Sequence, residues 1–124
     1  NNCAPPHDTS KDSKVTHSLV SEGCEIMGSV SESVLFSDVT IHKGATVEYS
    51  ILMPGAVVEP GAVVRYSIVA ENAHICENAQ VGASPSDGEI ENWGVAVVAA
   101  DVRIGRGAKL GAKEMAGEDL PDKM

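Results

Sequence analysis

The residues of this chain that could do chemistry are four histidines, three cysteines, a spaced set of serines and a surplus of carboxylates. Four histidines invite a zinc test, since zinc ligands must converge within ~2.1 Å of one ion. They are His7, His17, His42 and His74, well separated along the chain. Ser18, Ser33, Ser50 and Ser67 recur at near-regular intervals, but no nucleophile–base pair can be read from them. Glu22, Glu32, Glu48, Glu59, Glu71 and Glu77 are likewise distributed rather than clustered. No GxxxxGK[ST] loop and no strand–helix GxGxxG element occurs. Arg103-Ile104-Gly105-Arg106-Gly107 does carry glycines, but at the spacing of six found elsewhere in the chain. Whether any of these groups meet depends on the elements that carry them.

Those elements repeat. Val47, Val64 and Val81 are spaced 17 apart, as are Ile51 and Ile68, Leu52 and Val69, and Val58 and Ile75. Each period from Ile41 to Val81 divides into pieces of 5, 6 and 6 residues, each opening on a branched aliphatic. A period too short for a helical pair predicts a coil of a parallel β-helix, with three faces and one inward aliphatic per face. Upstream, Val30, Val34, Leu35, Val39 and Ile41 form another coil, and Val15, Leu19, Val20, Cys24 and Ile26 an earlier one. The step from Val15 to Val30 is 15, so a corner near Met27-Gly28-Ser29 has lost two residues. Downstream, Val98, Val102, Ile104, Ala108 and Leu110 resume the register after a 12-residue insertion. About five coils result.

Corner chemistry keeps the same register. Gly23, Asp38, Gly44, Gly55, Gly61, Asn72, Asn78, Asp101 and Gly107 each stand three residues after an inward aliphatic. Gly, Asn and Asp are the residues that tolerate the positive φ of a tight corner. The five-residue faces carry Ser18, Ser33, Ser50 and Ser67 at matching places, as a corner ladder. An ordinary β-sandwich would have no need of such a register. On this scaffold His42 and His74 lie two coils apart, about 10 Å at ~4.8 Å per coil. His17 falls on another face. No zinc site within one chain is expected, leaving only one shared between copies. Cys24 takes an inward place as a small hydrophobe. Cys76 aligns with His42 and Glu59, which point outward.

Composition bounds the partners. A net charge of −9 opposes nucleic-acid binding, which needs clustered cations. The nearest thing to a basic patch, Arg103, Arg106 and Lys109, reads as a solvated face. No apolar run approaches the ~20 residues of a membrane span. Aromatics make up only 3% against 43% hydrophobic residues, as suits a narrow interior filled by Val, Ile, Leu and Ala. Three cysteines give no paired framework, which favours a reducing, cytoplasmic setting.

The expected plan is a leader at 1–14, a β-helix at 15–111 with a loop inserted at 82–94, and a terminal segment at 112–124. The loop carries three acids and the single tryptophan, Trp93. Trp93 either packs the loop onto the coils or serves a function there. The last segment lacks the inward aliphatic column. It is expected either to cap the open end, with a short helix ended by Pro121, or to fray as a tail.

The stretches SLVSEGC, SILMPG and NWGVAVV, with the rhythm VEPGAV-VRYSI-VAENAH-ICENAQ, resemble the C-terminal domain of bacterial ADP-glucose pyrophosphorylase (glucose-1-phosphate adenylyltransferase) over residues 15 to about 110. The resemblance implies an all-β, single-stranded left-handed β-helix of hexapeptide repeats, where the general crossover rule would give the right hand. It implies that the leader joins this domain to an N-terminal nucleotidyltransferase domain. That domain would bind ATP, magnesium and glucose 1-phosphate and form ADP-glucose for glycogen synthesis. The β-helix would then be non-catalytic, serving subunit association and allosteric control, with the catalytic domain and sister subunits as partners. No catalytic, cofactor-binding or metal residue can be assigned in this stretch. Lys14, Lys43 and Arg65 are outward cations to which no effector motif attaches. Three alternatives stay open. One is a hexapeptide acyltransferase, whose loop histidine is absent from residues 82–94. Another is a γ-type carbonic anhydrase, which needs three converging histidines. The last is the same domain of another sugar-nucleotide pyrophosphorylase.

Overall fold

A computed structural model describes residues 8–9, 14–83 and 94–123, the side chains from Val15 onward. The described residues hold eighteen short strands, β1 to β18 in chain order, and successive strands pass in turn through three parallel sheets. The first coil comprises β1 (Asp8–Thr9), β2 (Lys14–Thr16) and β3 (Leu19–Val20). Every third strand then stacks on the one before. The first sheet runs from β1 through β4 (Glu25–Ile26), β7 (Thr40–Ile41), β10 (Val57–Val58) and β13 (His74–Ile75) to β16 (Arg103–Ile104). The second runs from β2 through β5 (Ser29–Ser31), β8 (Thr46–Glu48), β11 (Val63–Arg65) and β14 (Gln80–Val81) to β17 (Lys109–Leu110). The third runs from β3 through β6 (Val34–Leu35), β9 (Ile51–Leu52), β12 (Ser67–Val69) and β15 (Ala96–Val98) to β18 (Met115–Ala116). This is the left-handed β-helix of hexapeptide repeats, all-β and about five turns long, that the sequence implies.

The period of 17 is the register itself. Val47 pairs with Val64 and Val64 with Val81, while Ile41, Val58 and Ile75 pair in the first sheet. The 15-residue step pairs Val15 with Val30, and Val81 pairs with Leu110 across the insertion. The aliphatics that open the pieces, Ile41, Val47, Leu52, Val58, Val64, Val69, Ile75 and Val81, are all fully buried. Removing each such side chain from water contributes about 1.5–3 kcal/mol.

All nine predicted corner residues have positive φ, from 58° at Asn72 to 80° at Gly44. At the shortened corner Gly28 has ordinary φ but no room: a Cβ there would lie 2.5 Å from the Ala45 carbonyl oxygen. Losing two residues brings the chain against the coil above, and only glycine fits.

The strands extend beyond the period visible in the sequence at both ends. Asp8–Thr9 pairs with Glu25–Ile26, within the segment read as a leader. At the other end no helix forms before Pro121. Instead, Val97 and Val98 pair with Met115 and Ala116, and Ile104 bridges to Leu120. Ala116 is buried, and Leu120 packs against the core. The inward column does continue, carried by an alanine and one leucine too far apart to show a period. Residues 84–93 of the insertion, Trp93 among them, and residues 1–7 and 10–13, with Cys3 and His7, lie outside the described residues.

Candidate functional site

A third corner carries no glycine, asparagine or aspartate. His17, Glu32, Tyr49 and Tyr66 turn it with φ of 46–51°, each just before a serine of the periodic set. A left-handed residue turns the next N–H away from the sheet ladder, and a buried unpaired N–H is costly. The serines answer that need. Ser33, Ser50 and Ser67 each donate their N–H to the hydroxyl of the serine one coil earlier, at 3.1, 3.1 and 3.2 Å. Each hydroxyl in turn donates to the carbonyl two residues back, at 2.7–2.8 Å. With both roles taken at Ser33 and Ser50, and donation taken at Ser67, these hydroxyls form a structural column, not a row of nucleophiles. Outside it, the Tyr49 and Tyr66 rings stack at 4.7 Å and 10°, and His17 pairs with Glu32 at 2.8 Å.

A group of ionisable side chains lies along the first sheet, where Glu59, His74, Cys76, Glu77, Arg103 and Arg106 line a shallow hollow. His74 pairs with Glu59. Arg103 and Arg106 both reach Asp122, at 3.1 and 3.5 Å, and the Arg106 N–H donates to the same carboxylate at 2.7 Å. That N–H, more than the guanidinium groups of Arg103 and Arg106, holds the Asp122 carboxyl below its ordinary pKa. The basic patch anticipated from sequence is therefore partly neutralised by the terminal segment, while Lys109 stays exposed. Cys76 continues an outward column yet is buried, because these longer side chains close over it. Burial pushes its thiol pKa up, away from the thiolate that a nucleophile needs. Cys24, inward as expected, is buried with its thiol likewise raised, and its Sγ–H donates to the Phe36 carbonyl at 3.1 Å.

The remaining candidates do not converge. His42 sits in the column of Glu59, two coils from the level of His74, and among the described residues no three His, Cys, Asp or Glu side chains gather as for a metal ion. Lys14 and Arg65 both lie on the second sheet but three coils apart, and Lys43 stands exposed on a corner. Glu22, Glu32, Glu71 and Glu77 are exposed, whereas Glu48 and Glu59 are half-buried. Among the described residues no helix is long and apolar enough to cross a membrane.

Sequence reasoning missed the character of the third sheet. Its outward row, in register from coil to coil, is Leu19, Val34, Ile51, Ile68, Val97 and Met115. The outward row beside it contains Ser21, Phe36, Met53, Ala70 and Ala99. Neither row holds a charge. The other two sheets place Glu25, His74, Arg103, Glu48, Arg65 and Lys109 outward. The signal was the doublets Val34-Leu35, Ile51-Leu52, Ile68-Val69 and Val97-Val98. Neighbouring strand residues point to opposite faces, so one aliphatic of each pair must face out.

Such a three-sheeted coil, closed by glycine and asparagine corners, defines the class of hexapeptide-repeat β-helices. The family described as GlmU-like, C-terminal hexapeptide matches residues 5–93, and the chain belongs to that family. Within it, the chain is similar to the C-terminal part of glucose-1-phosphate adenylyltransferases. The enzyme of Bacillus thuringiensis (strain Al Hakam) is 48% identical over 52 residues, and that of Bacillus cytotoxicus 50% over the same length. Each match covers 42% of this chain and 14% of the relative. Among solved structures, PerB from Caulobacter crescentus in complex with CoA and GDP-perosamine covers 96% of this chain with 49% of its own, at TM-score 0.54 and 21% identity. WeeI from Acinetobacter baumannii AYE aligns over 94% of this chain and 51% of its own, at TM-score 0.51 and 20% identity. At that identity the likeness is one of fold.

Proposed function

We propose that this chain serves as the regulatory and oligomerisation domain of a glucose-1-phosphate adenylyltransferase and has no catalytic centre of its own. The observation that carries this reading is the 48–50% identity to adenylyltransferases across 52 residues. The site geometry agrees with it. Ser33, Ser50 and Ser67 are committed to a backbone ladder, Cys24 and Cys76 are buried, and at the ionisable hollow His74 pairs with Glu59 and Arg103 and Arg106 with Asp122. A partner nucleotidyltransferase domain would supply the ATP, magnesium and glucose 1-phosphate sites and form ADP-glucose, in the cytoplasm. The β-helix would hold subunits together and pass effector signals to that domain.

The acyltransferase alternative needs a histidine on the inserted loop, and residues 82–94 contain none. Titration calorimetry of the chain with acetyl-CoA, and with ATP plus glucose 1-phosphate, tests the reading. The expected result is neither measurable heat nor turnover for any of them. Saturable acetyl-CoA binding with acetyl transfer to an amino sugar nucleotide would overturn it in favour of the alternative.

A further inference from the structure

We propose that a hollow on the outer face of the second sheet binds a neutral sugar, held by hydroxyls and a carboxylate. The assignment is independent of the adenylyltransferase reading, because it rests on this surface alone. The hollow has a volume of about 360 Å³, and its polar side chains are Thr16, Ser29, Ser31, Thr46 and Glu48. Val30 and Val47 also line it, but their side chains are buried in the core, so they present backbone to it. All five polar residues are half-buried, and among the described residues none of their hydroxyl or carboxylate groups has a hydrogen-bond or ion-pair partner. Further along the same sheet the outward positions are Val63, Arg65, Gln80 and Lys109, so the hydroxyls are confined to the hollow.

The chemistry of the lining selects the occupant. Each hydroxyl both donates and accepts, and the carboxylate accepts only, which matches a ring of sugar hydroxyls. Among the described residues the lining holds no cation, and its one charge is negative, which opposes phosphates and nucleotides. Nor do three His, Cys, Asp or Glu side chains gather there as for a metal ion. Tyr49, directly after Glu48, is 53% exposed on the bordering corner. Its ring stacks on Tyr66 of the next coil, so its other face is turned toward the coil of Ser31. An exposed aromatic face beside hydroxyls suits a pyranose, whose C–H face is apolar and whose rim is polar. The volume lies at the small end of the ~300–1,000 Å³ of ligand clefts, which suits one or two sugar units. Open to water on one side, the hollow binds in the millimolar range.

The test is a titration of the isotope-labelled 124-residue chain with glucose and with maltotriose, followed by amide chemical shifts. Saturable shifts are expected at Ser29, Ser31, Thr46, Glu48 and Tyr49, with a Kd of about 1–10 mM. Comparable binding of both sugars assigns the site to a single pyranose, and binding of maltotriose alone assigns it to a glycan chain. Glu48→Gln, which removes the charged acceptor, raises the Kd roughly tenfold or more. Should that variant lose the native spectrum, Thr46→Val replaces it and weakens binding in the same direction. Gln80→Ala, outward on the same sheet, leaves the Kd unchanged. No saturable shift up to ~100 mM of either sugar, well above the expected Kd, overturns the site. So do shifts centred elsewhere, equal shifts with glycerol, or an unchanged Kd in the folded variants. Saturable binding of inorganic phosphate at the same amides overturns the neutral ligand.

Discussion

The backbone N–H of Ser50 donates to the hydroxyl of Ser33, one coil earlier, at 3.1 Å, inside a corner from which water is excluded. The hydroxyl of Ser50 repeats the arrangement for Ser67. Ser50→Ala therefore removes the acceptor of the Ser67 N–H and the donor to the Glu48 carbonyl. A cost of about 1–3 kcal/mol is expected, from the penalty of leaving a buried group unpaired. Urea denaturation should show a lower midpoint at unchanged slope, and an unchanged midpoint would refute the ladder.

The doublets predict a sharp contrast between neighbours. Leu52 is fully buried and Ile51 is 37% exposed on the opposite side of the same strand. Leu52→Ala is expected to cost about 2–5 kcal/mol through loss of packing and a residual cavity. Ile51→Ala should cost less than ~1 kcal/mol in the monomer. Equal costs at the two positions would mean the strand faces are wrongly assigned.

Gly82 marks where the chain leaves the coil for the insertion. Its φ is 81°, and a Cβ there would fall 1.8 Å from the Arg65 carbonyl oxygen. Gly82→Ala is expected to cost more than the ~1 kcal/mol of an ordinary glycine replacement, since a backbone group must shift. The thermal midpoint of the variant measures this. A midpoint equal to that of the parent chain would show that the turn relaxes freely.

Acid should loosen the terminal segment. The folded-state pKa of Asp122 is depressed, first by the Arg106 N–H and then by Arg103. Its contribution is present above its unfolded value near pH 4 and is lost as pH falls through the lower folded value. Hydrogen exchange at the Arg106 N–H should accelerate across that window, ahead of the core amide of Val64. Asp122→Ala should speed exchange at neutral pH and abolish the acid step. Protection that is flat through the window would sink the assignment.

Much of this fold was legible because its rules are local. A corner needing positive φ writes itself as Gly44, Asn72 or Asp101, and an inward aliphatic every 17 residues writes itself as Val47, Val64 and Val81. At the third corner the serine ladder was legible, but not the residues that turn it: serine hydroxyls one coil away hold the corner and leave His17, Glu32, Tyr49 and Tyr66 free in type. Cys76 was misread as exposed because its cover involves Arg103 and Arg106, which arrive only after the insertion. The terminal strand escaped because Ala116 and Leu120 are too sparse to show a period. As for the site, no motif marks it, and the charge-free sheet is written only in the doublets such as Ile51-Leu52, whose outward member is as apolar as its buried neighbour.

The most direct measurement is adenylyltransferase activity of a chimaera. In it, this chain replaces the matching C-terminal segment of the Bacillus cytotoxicus glucose-1-phosphate adenylyltransferase. The account predicts that the chimaera forms ADP-glucose from ATP and glucose 1-phosphate, while the enzyme truncated before the segment is impaired and this chain alone is inactive. A folded chimaera no more active than the truncated enzyme would contradict it.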